Sequence, residues 1–218
     1  MNSPIKYYGG KGGMFNEIIN QFPPIDSYNI YVEPFAGSFA VALHNQNIKD
    51  IEIYNDLEEN VYSLFKTLQN NDLFEEFKKK CDLSYYSEEL REEFKEKLKL
   101  NDISIVERAF YFFYVNRTSF NGIGGFTKNM TVRRKMSKSV SDMLATIDNL
   151  SDIHQRLSHC IILHRDGIDV INEYKDKSDV FIYADPPYEQ STRTSTRYKV
   201  EMDEETHIKF LHSCIESN

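Results

Sequence analysis

The sequence has 218 residues and a mass of 25.6 kDa, and 40% of its residues are hydrophobic and 28% are charged. This composition supports a sizeable core and excludes a chain that is disordered throughout. The formal net charge of −8 excludes a protein that coats nucleic acid through bulk charge, but it is compatible with a local basic face. No apolar run approaches the ~20 residues that a membrane span needs, so we expect no membrane association.

The N-terminal residues MNSPIKYYGGKGG lack the apolar stretch of a signal peptide, which predicts a cytoplasmic location. Cys81, Cys160 and Cys214 are odd in number and far apart, so we expect reduced thiols and no disulfide framework. The six histidines lack a metal-ligand spacing such as HExxH, which predicts that no catalytic metal is bound.

Alternating strand and helix patterns follow the N-terminal segment. Residues 27–37 (SYNIYVEPFAG) predict a buried strand and its turn, and residues 38–45 predict a helix capped by Ser38. A second strand at 51–56 precedes a helical pattern over 57–68. The further predicted elements are helices within 72–115 and at 140–157, 168–174 and 203–217, and strands at 160–164 and 179–185.

This order of elements predicts an α/β fold with a parallel sheet. We expect the sheet domain to comprise residues 1–66 and 152–218. The residues between them, 67–151, are expected to form a mostly helical insertion.

The charge is unevenly distributed, because residues 108–138 contain no acid although the chain as a whole is acidic. A solvated loop whose charges happen to cluster would explain this basic window, and so would a surface that contacts nucleic-acid phosphates. Phe120, Asn121 and several glycines in the window suit a loop that also touches bases, but composition alone leaves both explanations open. The seven bases are Arg108, Arg117, Lys128, Arg133, Arg134, Lys135 and Lys138.

The tetrapeptide Asp185-Pro186-Pro187-Tyr188 directly follows a predicted strand, at the position where open parallel sheets bind ligands. Two prolines alone would make a rigid turn, but such a turn requires neither the Asp before them nor the Tyr after them. A bound planar amine would require both. The Asp185 carboxylate and a proline carbonyl can accept its two N–H groups, and Tyr188 can stack on the ring that bears it.

Two further segments suit an adenosine-containing cofactor. Glu33-Pro34-Phe35-Ala36-Gly37 follows the first strand and presents backbone N–H groups at a helix N-terminus, although a plain strand-to-helix turn would also explain it. Asp56 ends the second strand, about twenty residues further on, where an acid typically binds ribose hydroxyls. Together they indicate a cofactor site that faces the amine site.

The motifs occur in the order of a known family, and the chain resembles the Dam-like (D12 class) N6-adenine-specific DNA methyltransferases. The matching segments are IKYYGGKGGM (5–14), EPFAG (33–37), YND (54–56), NRTSFNG (116–122), HRDG (164–167) and DPPY (185–188). The resemblance implies a Rossmann-like, S-adenosylmethionine-dependent methyltransferase sheet whose helical insertion, 67–151, is a DNA target-recognition domain.

The resemblance also implies a role for each matched residue. The catalytic residues would be Asp185, Pro186, Pro187 and Tyr188. S-adenosylmethionine would be bound by Tyr7, Gly9, Gly10, Lys11, Glu33, Pro34, Phe35, Ala36, Gly37, Asp56 and Asp166, with Asp56 on its ribose and Asp166 on its adenine. Duplex DNA would be bound by Asn116, Arg117, Phe120, Asn121, Lys128, Arg133, Arg134 and Lys135, so the basic window is expected to be a DNA surface.

The implied reaction is direct methyl transfer from S-adenosylmethionine to N6 of an adenine that is flipped out of duplex DNA. Family members normally continue into further strands after the helix that follows DPPY. We therefore expect a fragment or truncated chain, or a sheet completed by a dimer or a complementing chain. Whether a restriction partner exists or none does stays open at this point. NRTSFNG continues as IGGFTKNMTVRRKMSKS, so the GATC specificity of the best-known members is not transferable.

Two other interpretations stay open. The tetrapeptide would suit any planar amine, such as cytosine N4, an RNA adenine or a protein glutamine, and a truncated relative could bind DNA or cofactor without turnover. The basic, glycine-rich insertion favours a nucleic-acid substrate over a protein substrate, because a protein substrate would not call for seven bases without an acid.

Overall fold

The computed structural model describes residues 1–6, 14–187 and 202–215. The chain divides into two compact units. The helical unit comprises Met1–Gly10 and Ser63–Ser158, and the sheet unit comprises Lys11–Tyr62 and His159–Asn218.

Within the described residues, the sheet unit contains a parallel sheet of four strands, in the order β5 (Cys160–Leu163), β2 (Ile51–Asn55), β1 (Ile30–Glu33) and β6 (Val180–Ile182). Ile30 of β1 lies opposite Ile51 of β2 and Val180 of β6, so the carboxyl ends of these strands share one edge of the sheet. The predicted α/β fold with a parallel sheet is therefore confirmed. The elements are β1 (Ile30–Glu33), β2 (Ile51–Asn55), β5 (Cys160–Leu163), β6 (Val180–Ile182), α1 (Phe15–Ile19), α2 (Ala40–His44), α9 (Gly167–Tyr174) and α10 (Glu204–Ile215).

Apolar side chains from the central strands and from α9 form the core of the sheet unit. Val32 and Ile53 pack with Val170 in one cluster, and Ile171 packs with Phe210 in a second. Such near-continuous apolar strands are typical of a parallel sheet that is covered on both faces.

The helical unit is built on aromatic packing around the helix α6 (Ile105–Thr118). The ring centroids of Phe77 and Phe113 lie 5.5 Å apart, and Phe94 packs edge-on against Phe110 and Tyr114. Its elements, after α3 (Glu59–Gln69), which spans the boundary, are α4 (Asn71–Asp82), α5 (Glu88–Lys97), α6 (Ile105–Thr118), β3 (Val132–Arg133), β4 (Met136–Ser137), α7 (Lys138–Asp148) and α8 (Leu150–Leu157).

The structure differs from the sequence-based expectations in several places. Ser38 does not cap α2; the residue before the helix is Phe39, which has a left-handed backbone and makes no side-chain cap. The predicted helix at 140–157 is two helices that meet at Asn149. Met1–Gly10 groups with the helical unit and not with the sheet domain, because Lys6 is hydrogen-bonded to α6.

Among the described residues, no helix is both long enough and apolar enough to cross a membrane. The same residues contain no cluster of His, Cys, Asp and Glu that could hold a metal ion.

Candidate active site and DNA interface

The turn after β1 is held in place by the end of β2. The Ala36 N–H donates to the Asn55 carbonyl at 2.9 Å, and the Gly37 N–H donates to Asp56 Oδ2 at 2.7 Å. The Tyr54 hydroxyl donates to the Gly37 carbonyl at 3.0 Å. Gly37 has a φ of 50°, a left-handed conformation that glycine adopts without a steric penalty. The sequence EPFAG therefore forms a turn of fixed shape at the carboxyl edge of the sheet.

Asp56 is buried at this edge, and each of its oxygens accepts one backbone N–H. Oδ2 accepts from Gly37 and Oδ1 accepts from Glu58 at 2.8 Å. Burial raises the pKa of Asp56 to about 6 in spite of these hydrogen bonds. Because a carboxylate oxygen can accept two hydrogen bonds, each oxygen keeps one acceptor position, and the pair suits two ribose hydroxyls.

Asn55 connects the turn after β1 with the turn after β5. Its side-chain amide donates to the Pro34 carbonyl at 2.8 Å and to the Arg165 carbonyl at 3.0 Å. Its Oδ1 accepts from the Arg165 N–H at 3.0 Å. Asn55 lies in the quoted YND motif but was not predicted as a site residue. Asn55 positions both turns of the expected cofactor site.

Phe35 lies against the first residue of α9. A Cβ placed on Gly167 would lie 2.2 Å from Phe35 Cε1, so only glycine allows this approach. The exposed Asp166 caps α9, since its Oδ1 accepts from the Ile168 N–H at 2.7 Å. The Gly of HRDG, which the sequence analysis did not assign, thus fixes the position of the Phe35 ring.

Glu33 is 3% exposed at the end of β1, and its carboxyl accepts from the Tyr31 hydroxyl at 2.5 Å. Burial raises the pKa of Glu33 to about 8, and the nearby carboxylates of Glu52 and Asp185 raise it further against the hydrogen bonds of Tyr31 and Ala42. Glu33 is therefore mostly uncharged at neutral pH, until a positive charge is placed beside it.

The residues Asp185, Pro186 and Pro187 follow β6, the neighbour of β1. The Tyr183 N–H donates to the Val32 carbonyl at 2.9 Å, which carries the pairing of the two strands one residue further. All three residues are half-buried at the same edge as the turn after β1. The predicted site residues Tyr7, Gly9, Gly10, Lys11 and Tyr188 lie outside the described residues, and their roles stay predictions.

In the helical unit, Asn116 holds the N-terminal segment and is 4% exposed. Its Oδ1 accepts from the Lys6 N–H at 2.8 Å, and its amide donates to the Lys6 carbonyl at 2.7 Å. Lys6 Nζ donates to the carbonyls of Arg117 and Ser119, at the end of α6. A Cβ on Gly122 would lie 2.3 Å from the Lys6 oxygen. The predicted DNA contact of Asn116 stays a prediction, and the structure shows a different task for its side chain.

The other predicted DNA-contact residues of the NRTSFNG segment differ in their exposure to solvent. Arg117 is half-buried, and its Nη2 donates to the Asp142 carbonyl at 3.3 Å. Burial lowers the pKa of Arg117, and its Nε has no hydrogen-bond partner among the described residues. Phe120 is 64% exposed, and the neighbouring Asn121 is exposed with a φ of 50°. These two residues are the accessible part of the segment.

A short antiparallel hairpin, β3–β4, carries Arg133, Arg134 and Lys135, and Lys128 precedes it. Its two turn residues, Arg134 and Lys135, have φ values of 53° and 61° and are exposed. No described residue forms an ion pair with either of them. Arg133 before the turn binds the Asp142 carboxylate at 2.9 Å. Lys128 forms an exposed ion pair with Glu88 at 2.7 Å.

The chain was compared with known proteins. The family of D12 class N6 adenine-specific DNA methyltransferases matches residues 7–218. The type II methyltransferase M.MjaIII of Methanocaldococcus jannaschii is 28% identical over 207 residues, which cover 88% of this chain and 71% of that protein. The type II methyltransferase M.CviBI of Paramecium bursaria Chlorella virus NC1A is 24% identical over 191 residues, with 87% and 70% covered. The chain therefore belongs to the D12 class of N6-adenine-specific DNA methyltransferases, enzymes that methylate adenine in DNA.

Proposed function

We propose that this chain transfers a methyl group from S-adenosylmethionine to N6 of an adenine flipped out of duplex DNA. We assign methyl transfer to the sheet unit and target recognition to the helical unit. The observation that carries the proposal is the placement of two motifs after neighbouring strands. The turn from Glu33 to Gly37 follows β1, and Asp185-Pro186-Pro187 follows β6, at the same edge of the sheet. Parallel sheets bind their ligands at this edge.

The residues of the sheet unit suit S-adenosylmethionine, which supplies an electrophilic methyl group on a sulfonium. Asp56 would accept hydrogen bonds from the ribose hydroxyls through its two remaining acceptor positions. The Phe35 ring, held by Gly167, would form an apolar wall, and the exposed Asp166 would accept from the adenine amine. Glu33 would lose its proton when a cationic ligand binds beside it, since a nearby positive charge favours the carboxylate.

The acceptor amine would be held by Asp185 and Pro186. The Asp185 carboxylate and the Pro186 carbonyl would each accept one N–H of the adenine amine, which directs the nitrogen lone pair away from the ring plane. Pro186 and Pro187 restrict the backbone, so little conformational freedom is lost on binding. Stacking of the base on Tyr188 would contribute about 1–3 kcal/mol and offset part of the cost of flipping.

The DNA would be bound by exposed basic and aromatic residues of the helical unit. The predicted contact residues that the structure leaves exposed are Phe120, Asn121, Lys128, Arg133, Arg134 and Lys135, of which Lys128 and Arg133 are ion-paired with Glu88 and Asp142. A restriction partner, and a dimer or complementing chain, stay predictions.

The proposal is tested by supplying tritiated S-adenosylmethionine and duplex DNA to the purified protein and analysing the labelled nucleoside after digestion. We expect label in N6-methyladenine. Label in N4-methylcytosine would mean that the acceptor is the cytosine amine, and absence of label from the DNA would overturn the DNA substrate.

The role of Asp185 is tested by comparing Asp185→Ala with Asp179→Ala. Asp179 is exposed just before β6, at the far end of the same strand. We expect Asp185→Ala to lose transfer by at least about a hundredfold while cofactor affinity stays within about threefold, because the carboxylate acts on the acceptor amine. Asp179→Ala should behave as the unsubstituted protein. Equal turnover of the two variants would remove Asp185 from the chemistry.

A further inference from the structure

We propose that Arg133, Lys138 and Asp142 form a phosphate-binding site in which the Asp142 carboxylate occupies the position of a DNA phosphate. DNA would have to displace this carboxylate to bind the two cations, so Asp142 would limit the affinity for DNA of any sequence. The inference rests on the proposed DNA surface, which includes Lys138 through the basic window, and adds Asp142 to it as a competitor of the phosphate.

In this site one carboxylate binds two cations, each through a different oxygen. Arg133 Nη1 donates to Asp142 Oδ1 at 2.9 Å, and Lys138 Nζ donates to Oδ2 at 2.5 Å. The two cations come from different elements, β3 and the first residue of α7. Their side chains are 53% and 44% exposed, so a phosphate can reach both. Two oxygens of one phosphate can bridge two cations in the same way.

The charges around Asp142 are predominantly positive. Its pKa is affected by partial burial, which raises it, and by Lys138 and Arg133, which hold it below its ordinary value overall. Arg117 donates to its backbone carbonyl, and the charge of Asp142 also acts on Lys6. Asp142 is the first acid after Glu107 in the sequence. One carboxylate therefore neutralises a surface that several cations share.

The stability of the fold does not account for this arrangement. Lys138 is the first residue of α7, where the helix dipole disfavours a positive charge. A Lys that precedes its acid by four residues is the weaker of the two helical orientations. Exposed ion pairs contribute only about 0–1 kcal/mol. A phosphate contact instead gains from the release of condensed counterions, so exchange of Asp142 for phosphate is favourable at low salt.

The test compares Asp142→Asn with Asp148→Asn. Asp148 is exposed at the last position of the same helix, and its substitution changes the net charge equally. Binding of a fluorescent random-sequence duplex is measured between about 50 and 300 mM salt. We expect Asp142→Asn to bind about five-fold tighter at the lowest salt and to steepen the plot of log affinity against log salt by about 1–2, since two cations gain phosphate contacts. Asp148→Asn should change both quantities much less.

If Asp142→Asn bound DNA more weakly and with a shallower salt slope, Asp142 would only support the hairpin. If both variants changed affinity and slope equally, the effect would be one of net charge. Either result overturns the proposal. In the triple variant Arg133→Ala, Lys138→Ala, Asp142→Asn, the extra slope should vanish, and its persistence would also overturn the proposal.

Methyl transfer by the unsubstituted protein is measured in parallel and judges the proposed function independently. Transfer to DNA combined with equal binding of the two single variants rejects the phosphate site alone. Absence of transfer rejects the proposed function, while the binding comparison still decides whether this site takes phosphate.

Discussion

Carboxylates in the two units respond to opposite influences. In the sheet unit, Glu33 and Asp56 are buried, and burial raises the pKa of both. In the helical unit, Asp142 is half-buried, and its two exposed cationic partners lower its pKa against the effect of burial. A desolvated carboxyl discriminates strongly between ligands by hydrogen bonding, whereas an accessible ion pair is screened and exchangeable. This difference supports the proposed assignment of the small cofactor to the sheet edge and of the DNA to the hairpin.

The backbone shows a related contrast. Four described non-glycine residues have a positive φ: Phe39, Asn121, Arg134 and Lys135. Phe39 is fully buried in the turn between β1 and α2, where packing compensates for the unfavourable conformation. Arg134 and Lys135 are exposed, and no packing compensates there. Their conformation is consistent with a role in binding.

The largest expected effect is on the stability of the fold, and it follows from the raised pKa of the buried Glu33. The pKa of Glu33 is raised from 4.5 to about 8, so between these pH values the folded protein binds a proton that the unfolded chain has lost. The contribution of this group is fully present below pH 4.5 and is lost as the pH rises through 8. Chemical denaturation should show Glu33→Gln gaining about 2–4 kcal/mol over the unsubstituted protein between pH 5 and pH 9. The exposed Glu17→Gln is the control, and parallel pH curves would contradict this expectation.

The next effect concerns cofactor affinity. Asp56→Asn places an NH₂ group opposite the N–H of Gly37 or Glu58, which leaves a buried donor unpaired. We expect S-adenosylmethionine to bind about 10–100-fold more weakly by calorimetry, as one lost buried hydrogen bond implies. In the unsubstituted protein, affinity should also decline below pH 6, where Asp56 takes up its proton. Asp50→Asn, an exposed change just before β2, should bind normally; an equal loss there would refute the assignment of Asp56.

A smaller effect is expected at the hairpin tip. Because each lost phosphate contact removes about 0.9 from the salt slope, Arg134→Ala with Lys135→Ala should make the slope shallower by about 2 and weaken DNA binding about tenfold. The matched double variant is Lys95→Ala with Lys99→Ala, which removes two accessible lysines of the same unit that are paired with acids. Similar slopes for both double variants would show that the tip is only a solvated turn.

The smallest expected effect tests whether the positive φ values of Arg134 and Lys135 strain the hairpin turn. Two-residue hairpin turns with positive φ favour Asn-Gly, so Arg134→Asn with Lys135→Gly should raise the free energy of unfolding by about 1 kcal/mol. DNA binding should fall as in the alanine variant, because the two cations are lost. Thermal unfolding and DNA titration of one preparation measure both quantities. A variant that is less stable would show that the tip conformation carries no strain.

Much of the sheet could be predicted from the sequence, because β1, β2, β5 and β6 are short apolar runs followed by turn residues. The helix cap at Ser38 was wrong, since the turn continues through Phe39 before α2 begins. The hairpin was not predicted, because Arg134-Lys135 carries none of the usual signals of a two-residue turn.

Only part of the candidate site could be predicted, because some of its residues act through contacts with segments that are distant in the sequence. The motifs that follow the strands were recognisable, and the turn after β1, Asp56 and the residues after β6 lie at one edge of the sheet as expected. Asn55 and Gly167 were not assigned, because their importance depends on a carbonyl, that of Arg165, and on a ring, that of Phe35, each more than a hundred residues away in the sequence.

The sequence by itself determined the four strands of the parallel sheet, the family, and the local excess of positive charge, because each is written in neighbouring residues or in short ordered motifs. Only the tertiary structure decided which polar groups lose their water and which keep it. It buried Glu33 and Asp56, committed the amide of Asn116 to Lys6, and placed Asp142 between two cations. Burial and long-range hydrogen bonds depend on packing between distant segments, and local patterns do not encode them.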